Sequence, residues 1–213
     1  MARTHLVWDW NGTLLDDFSL VVQATNSAFA AVGGRDVEPD EHRRRFRRPV
    51  AEFYAEILER VVDEDEFGKL DRIFHEAYRM GLTTMALAAD AKEALTMWPG
   101  SQSLLSMWFH DELVPALSTY GLDGHFTRVD GLRTEVGGHL KAGHLAAHLD
   151  SLDLTGADAV LIGDSLDDAD AASSVGAAVV LYSGGFTDAT RLRAVGCPVA
   201  DTLVEAVGIA RDL

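Results

Sequence analysis

Two stretches of the chain end an apolar run on carboxylates. Leu6-Val7-Trp8 runs into Asp9-Trp10-Asn11-Gly12-Thr13, and Ala159-Val160-Leu161-Ile162 runs into Gly163-Asp164-Ser165-Leu166-Asp167-Asp168. A buried strand that stops at a carboxylate and breaks at a glycine presents that carboxylate at the sheet's C-terminal edge, where open α/β sheets bind ligands. Asp9 in such a place can act as a nucleophile, although an isolated Asp-x-Asn-Gly is by itself common turn chemistry. Asp164 and Asp168 lie one helical turn apart and form an all-oxygen site suited to Mg²⁺. Burying carboxylates together without a cation is costly. Asp164 alone also reads as a helix N-cap, and Asp167 as an additional exposed acid.

Two more residues complete the set. Ser106 ends the strand expected at 103–106, and Lys141 opens a helix after Gly137-Gly138, 23 residues before Asp164. An ammonium there would offset clustered carboxylates and a charged intermediate. Serine at a strand end is otherwise turn chemistry, and a lysine is otherwise a solvated surface group. His144 and His148 share a helix face without the His-Glu-x-x-His pattern of a zinc site, so they read as surface or core residues.

These residues need a parallel sheet behind them. The pattern gives strands at 5–9, 103–106, 126–129, 159–163, 178–181 and 199, with helices at 90–98, 112–120, 142–149, 168–175 and 203–211 between and after the later ones. Residues 17–85 break that rhythm. Phe18, Val21, Val22, Thr25, Phe29 and Val32 share one helical face, capped by Asp17, and helices follow near 39–48, from Val50 to Val61, and around Phe67–Met80, with no convincing strand. An all-helical insert directly after the first strand reads as a separate cap. The expected organisation is an α/β core of residues 1–16 and 86–213 with a helical cap of 17–85.

Composition sets limits. The net charge of −16 disfavours nucleic acid and anionic membranes as partners. The single cysteine, Cys197, rules out an internal disulfide and suits a reducing compartment. After Met1-Ala2-Arg3-Thr4-His5 only three apolar residues precede Asp9, so no secretory leader is expected, and no apolar run approaches the roughly 18 residues of a membrane span. A cytoplasmic protein is expected. Arg43, Arg44, Arg45, Arg47 and Arg48 form a local basic cluster that reads mainly as a solvated face.

Taken in order, Asp9-x-Asn11-Gly12-Thr13-Leu14, Ser106, Lys141 and Gly163-Asp164-Ser165-x-x-Asp168 resemble the four motifs of the haloacid dehalogenase (HAD) superfamily. The helical insert resembles the C1 cap of phosphoglycolate-phosphatase-like members. The resemblance implies a Rossmann-like three-layer core with a parallel sheet, a mobile cap, and transfer of a phosphoryl group to Asp9. It implies Mg²⁺ held by Asp9, the Asn11 carbonyl and Asp164, with Asp168 in or beside the coordination sphere. It also implies phosphate binding by Gly12, Thr13, Ser106 and Lys141, and it places Arg47 and Arg48 in a cap loop facing the substrate, where one could pair with an anionic tail.

Asn11 departs from the pattern. The family has an aspartate there that protonates the leaving group and then activates water, a role worth typically 10²–10⁴-fold. An amide cannot do this, so leaving groups of low pKa are expected to be favoured, with His110 or a cap residue as candidates for the missing acid. The expected activity is Mg²⁺-dependent hydrolysis of a small phosphorylated metabolite, slowed by Asn11. The alternatives are a pseudophosphatase that binds a phosphometabolite without turnover and, disfavoured by the complete acidic motif, a 2-haloacid dehalogenase.

Overall fold

The computed structural model describes residues 3–133 and 138–213. In chain order the elements are β1 (His5–Trp8), β2 (Leu15–Asp16), α1 (Phe18–Ala30), α2 (Pro39–Arg45), α3 (Val50–Leu58), α4 (Glu64–Leu82), β3 (Ala86–Leu87), α5 (Ala91–Met97), β4 (Ser101–Phe109) and α6 (His110–Thr119). They continue with β5 (Val129–Leu132), α7 (Ala142–Asp150), β6 (Ala159–Gly163), α8 (Leu166–Val175), β7 (Ala178–Tyr182), α9 (Ala189–Ala194), β8 (Val199–Ala200) and α10 (Leu203–Arg211). No described helix is long and apolar enough to cross a membrane.

Six strands form one parallel sheet in the order β5-β4-β1-β6-β7-β8. β1 lies between β4 and β6, so the chain winds away from it in both directions. That arrangement opens a crevice at the C-terminal ends of these three strands. Leu6, Val7 and Trp8 of β1 and Val160, Leu161 and Ile162 of β6 have no exposed surface, which is why both strands read as unbroken apolar runs. Helices cover both faces: α7 and α8 pack with Val7, Leu105 and Leu161, while Leu6, Trp8 and Ile162 join the larger core that includes α5 and α10.

Helices α1–α4 form a cap-like region between β2 and β3. They pack through their own aromatic residues, with Tyr54 set edge-on to Phe29 at 5.0 Å between centroids. β2 and β3 pair antiparallel over two residues each, Leu15 with Leu87 and Asp16 with Ala86, so the chain enters and leaves the helical region through one short ladder. The region meets the core at several places. The Arg43 carbonyl accepts from the Asp188 N–H at 3.1 Å, and Arg79 of α4 pairs with Glu112 of α6 at 2.6 Å.

Several boundaries differ from the sequence reading. β4 continues to Phe109, so Ser106 lies within the strand and does not end it. The next strand falls at 129–132, after the expected 126–129, and its Gly131 lies against β4 so closely that a Cβ would come 2.6 Å from the Trp108 carbonyl oxygen. α2 stops at Arg45 and α3 at Leu58, both short of the expected ends. Gly137, expected in the loop before Lys141, lies outside the described residues.

Candidate active site

Residues from four separate elements meet at the crevice. Asp9 follows β1, Asp164 follows β6, Asp168 lies in the first turn of α8, and Lys141 precedes α7. All four are nearly or fully buried. Lys141 Nζ donates to Asp9 Oδ1 at 2.5 Å and to Asp168 Oδ1 at 2.6 Å. One ammonium thus bridges two carboxylates that are 159 positions apart in the chain.

Local structure holds each group. Ser165 caps α8 by accepting from the Asp168 N–H, while the Asp168 Oδ2 atom accepts from the Ser165 N–H at 3.0 Å and its hydroxyl at 2.6 Å. Both oxygens of Asp168 are therefore engaged, one by the cap and one by Lys141. Thr13 donates to Asp9 Oδ2 at 3.2 Å, and the Phe186 N–H donates to Asp164 Oδ2 at 2.5 Å. Gly12 has φ +73, and a Cβ there would fall 2.6 Å from Asp164 Oδ2, so only glycine lets the nucleophile loop pass so close to β6.

Electrostatically the site is overloaded with negative charge. Burial pushes the Asp9 carboxyl up to about 6, with Lys141 opposing that rise. Burial, followed by the charges of Asp9 and Asp168, pushes Asp164 well above the usual carboxylate range. Burial also works on Asp168, but Lys141 and Ser165 hold it below its ordinary value. Burial disfavours the Lys141 charge, yet Asp168 and Asp9 raise its pKa. Asp9, Asp164 and Asp168 each offer an oxygen within 4.8 Å of the others. An all-oxygen donor set with more buried carboxylates than the lysine can balance fits a hard divalent cation.

Asp17 and Asp167 differ from the sequence reading. Asp17 occupies the N-cap position of α1 but makes no capping bond. Its Oδ1 accepts from the Gly12 N–H at 2.7 Å, and its Oδ2 accepts from the Asn11 amide at 2.8 Å and the Tyr78 hydroxyl at 2.6 Å. Asp167 is buried, not exposed, because its Oδ2 accepts from the Lys141 backbone N–H at 3.0 Å and faces Arg48 at 3.8 Å.

Asn11 is held from every side. Its amide nitrogen also donates to the Tyr78 hydroxyl at 2.8 Å, and its Oδ1 accepts from Ser106 at 3.2 Å. Ser106 is turned onto Asn11 and the Trp108 N–H, while its neighbour Met107 lines the cleft. The cleft lining includes Asp9, Asn11, Arg48, Lys141, Asp164 and Asp168. Arg47 turns away to pair with Glu56 and Glu52. His110 accepts from the Gly131 N–H at 3.3 Å and lines neither the cleft nor the larger cavity beside it. Among residues the sequence reading missed, Tyr78 carried no local signal, since its contact with Asn11 spans 67 positions.

Residues 136–206, which supply Lys141, Asp164 and Asp168, match the family model of HAD-hydrolase-like proteins. The rest of the chain follows the same architecture in solved structures. Residues 136–206 are therefore similar to a HAD-hydrolase-like domain, and the rest of the chain shares the fold of such proteins. A protein from Clostridium acetobutylicum described as a predicted phosphatase superposes with a TM-score of 0.88 at 14% identity, covering 100% of both chains. A haloacid dehalogenase-like hydrolase from Streptococcus pneumoniae gives 0.82 at 18% identity, covering 97% of this chain and 98% of that one. A predicted phosphoglycolate phosphatase from Haemophilus somnus gives 0.75 at 20% identity over 97% of each. At such identities these likenesses are of fold. No curated protein matches the sequence.

Proposed function

We propose that this HAD-type hydrolase cleaves the phosphate monoester of a small metabolite through a phosphorylated Asp9. The observation that carries the reading is Lys141 set between Asp9 and Asp168, with Asp164 beside them. Asp9 keeps one oxygen on Lys141 and one on Thr13, an orientation that aims the carboxylate into the cleft. Its attack forms a bond to phosphorus as the bond to the leaving oxygen breaks, and water then releases phosphate from the aspartyl ester. Lys141 offsets the charge gathered at the transferring group. Gly12, Thr13 and Arg48 border the phosphate position, and Ser106 acts by orienting Asn11. The cap comprises residues 17–85, and the protein works in the cytoplasm.

Asp9, Asp164 and the Asn11 carbonyl would hold Mg²⁺. When bound, the ion neutralises the carboxylates and the phosphoryl oxygens together. Asp168, with both oxygens occupied, serves mainly to hold Lys141. Asn11 has no proton to give to a leaving group, so turnover is slow with poor leaving groups.

Hydrolysis of p-nitrophenyl phosphate, with and without Mg²⁺, tests the reading. Wild type turns over only with the ion, and Asp9→Asn falls below detection. Asn11→Asp restores an acid but sets a second carboxylate against Asp17. The pair Asn11→Asp/Asp17→Asn relieves that repulsion, and its rate rises by about 10²-fold or more over wild type. Folded, Mg²⁺-binding wild type and double variant that are both inert would leave the binding-only reading in place.

A further inference from the structure

A second, larger cavity of about 80 Å³ opens beyond Asn11 into the cap-like region and shares Asn11, Phe46, Arg48, Met107 and Phe186 with the catalytic cleft. That is several times the roughly 10–15 Å³ that one water needs, room for a small organic group beside the cleft. Its walls are largely aromatic, including Phe53, Phe74, Tyr78 and Trp108. Three of the lining residues, His42, His75 and Trp108, carry buried ring nitrogens without a partner among the described residues. His42 is 1% exposed, and neither of its ring nitrogens has a hydrogen-bond partner among the described residues. The same is true of His75 Nδ1 and Trp108 Nε1.

Buried donors and acceptors are costly when unpaired, and several in one cavity mark a place shaped for hydrogen-bonding groups from outside the chain. His42 is not free to swing away from the cavity. It stacks on Phe46 at 5.3 Å and meets Phe53 edge-on at 4.9 Å and Phe18 edge-on at 5.6 Å. Burial pushes its pKa down to about 3, so the ring is neutral and offers one donor and one acceptor. The charged lining residues are Arg48 and Asp71. Arg48 faces Asp167 and donates to the His139 carbonyl, and Asp71 lies 3.4 Å from His75. A second acidic group on the substrate would find no spare cation there among the described residues.

We propose that the alcohol part of the substrate is a neutral heteroaromatic ring, esterified through a ring-borne oxygen, that stacks in this cavity and is read by His42, His75 and Trp108. The inference rests on the phosphatase reading. It also fits Asn11, because an aryl oxygen can depart without a proton. As the Asp9–phosphorus bond forms, the electron pair of the breaking bond leaves on the aryl oxygen, where the ring delocalises it, and solvent supplies the proton after release.

The test compares 3-pyridyl phosphate with acetyl phosphate, whose small leaving group does not reach the cavity, using the full chain with Mg²⁺. His42→Phe lowers the ratio of kcat/KM for 3-pyridyl phosphate to that for acetyl phosphate by tenfold or more, and Trp108→Phe lowers it in the same direction. Calorimetry with the free alcohols provides a readout independent of turnover. Wild type binds 3-hydroxypyridine at least tenfold more tightly than cyclohexanol, and His42→Phe removes that preference. Turnover of acetyl phosphate without any preference for 3-hydroxypyridine overturns the inference and leaves the phosphatase reading intact. A preference for 3-hydroxypyridine that depends on His42, in a protein that hydrolyses neither phosphate, upholds the ring site and sinks the phosphatase reading.

Discussion

β1 begins and ends on a buried polar cluster, and the two clusters are built on opposite terms. At its start, His5 shares hydrogen bonds of 2.7 Å with Ser101 and Ser103. Ser103 meets His148 at 2.7 Å, and His148 meets Asp130 at 2.7 Å. Asp130 is paired in turn with Arg128. Ser103, His148 and Asp130 have the spacing of a nucleophilic triad, but the hydroxyl is fully buried and also engaged by His5, so no substrate can reach it. Both histidines are kept neutral, chiefly by burial, and every side chain in the chain of bonds has a partner. At the other end of β1, Asp9, Asp164 and Asp168 share a single ammonium. Buried polarity is thus common to both ends, and unbalanced charge belongs only to the second. That imbalance, more than residue type, separates a site from a scaffold.

The largest effect is expected from removing the Lys141 ammonium. Lys141→Met leaves Asp9 and Asp168 unpaired, and urea unfolding without divalent ions should show a loss of about 3–5 kcal/mol. A loss under 1 kcal/mol would mean that the acidic end is not strained in the way described. Mg²⁺ should then act on one end of β1 only. At a concentration a hundredfold above its Kd it adds about 2.7 kcal/mol to wild-type stability. Asp164→Asn abolishes that gain and His148→Gln keeps it, both read as thermal shifts.

Smaller changes probe the neutral end. Ser103→Ala orphans two imidazole nitrogens and should cost about 1–3 kcal/mol with kcat/KM unchanged. Acidification acts there too. Burial and His148 depress the folded-state pKa of His5 to about 4, and burial depresses that of His42 to about 3, both below the ordinary 6.5. The unfolded chain therefore binds protons first as pH falls, so the contribution of these neutral rings is complete above about 6.5 and drains away between there and roughly 4 for His5 and 3 for His42. Urea midpoints from pH 7 to 4 should show this slope, shallower in His5→Asn. An unchanged slope would assign the acid sensitivity elsewhere.

Much of the frame was legible in the sequence because it follows local rules. Ala159–Gly163 is an unbroken apolar run and Leu203–Arg211 a plain helical repeat, and both elements fall where the pattern put them. Asp9, Lys141, Asp164 and Asp168 could be named because strand ends and a helix start mark them, and the structure brings all four together. What the pattern could not show depends on distant partners. Asp17 looks like a cap until Asn11 and Tyr78 arrive, and Asp167 looks exposed until the Lys141 backbone meets it. Ser101 lies ahead of the strand expected at 103–106 and Ser103 opens it, and nothing local marks either as a partner of His5.

The two-residue ladder of β2 and β3 has a consequence for how such a protein can diverge. Because the helical region leaves the core and returns to it at adjacent points, its ends already meet, and a replacement of different length or sequence could be spliced there without moving β1, β4 or β6. The segment between β2 and β3 could be exchanged around an unchanged β1, with the Asn11–Tyr78 bond as the seam that any newcomer has to re-sew.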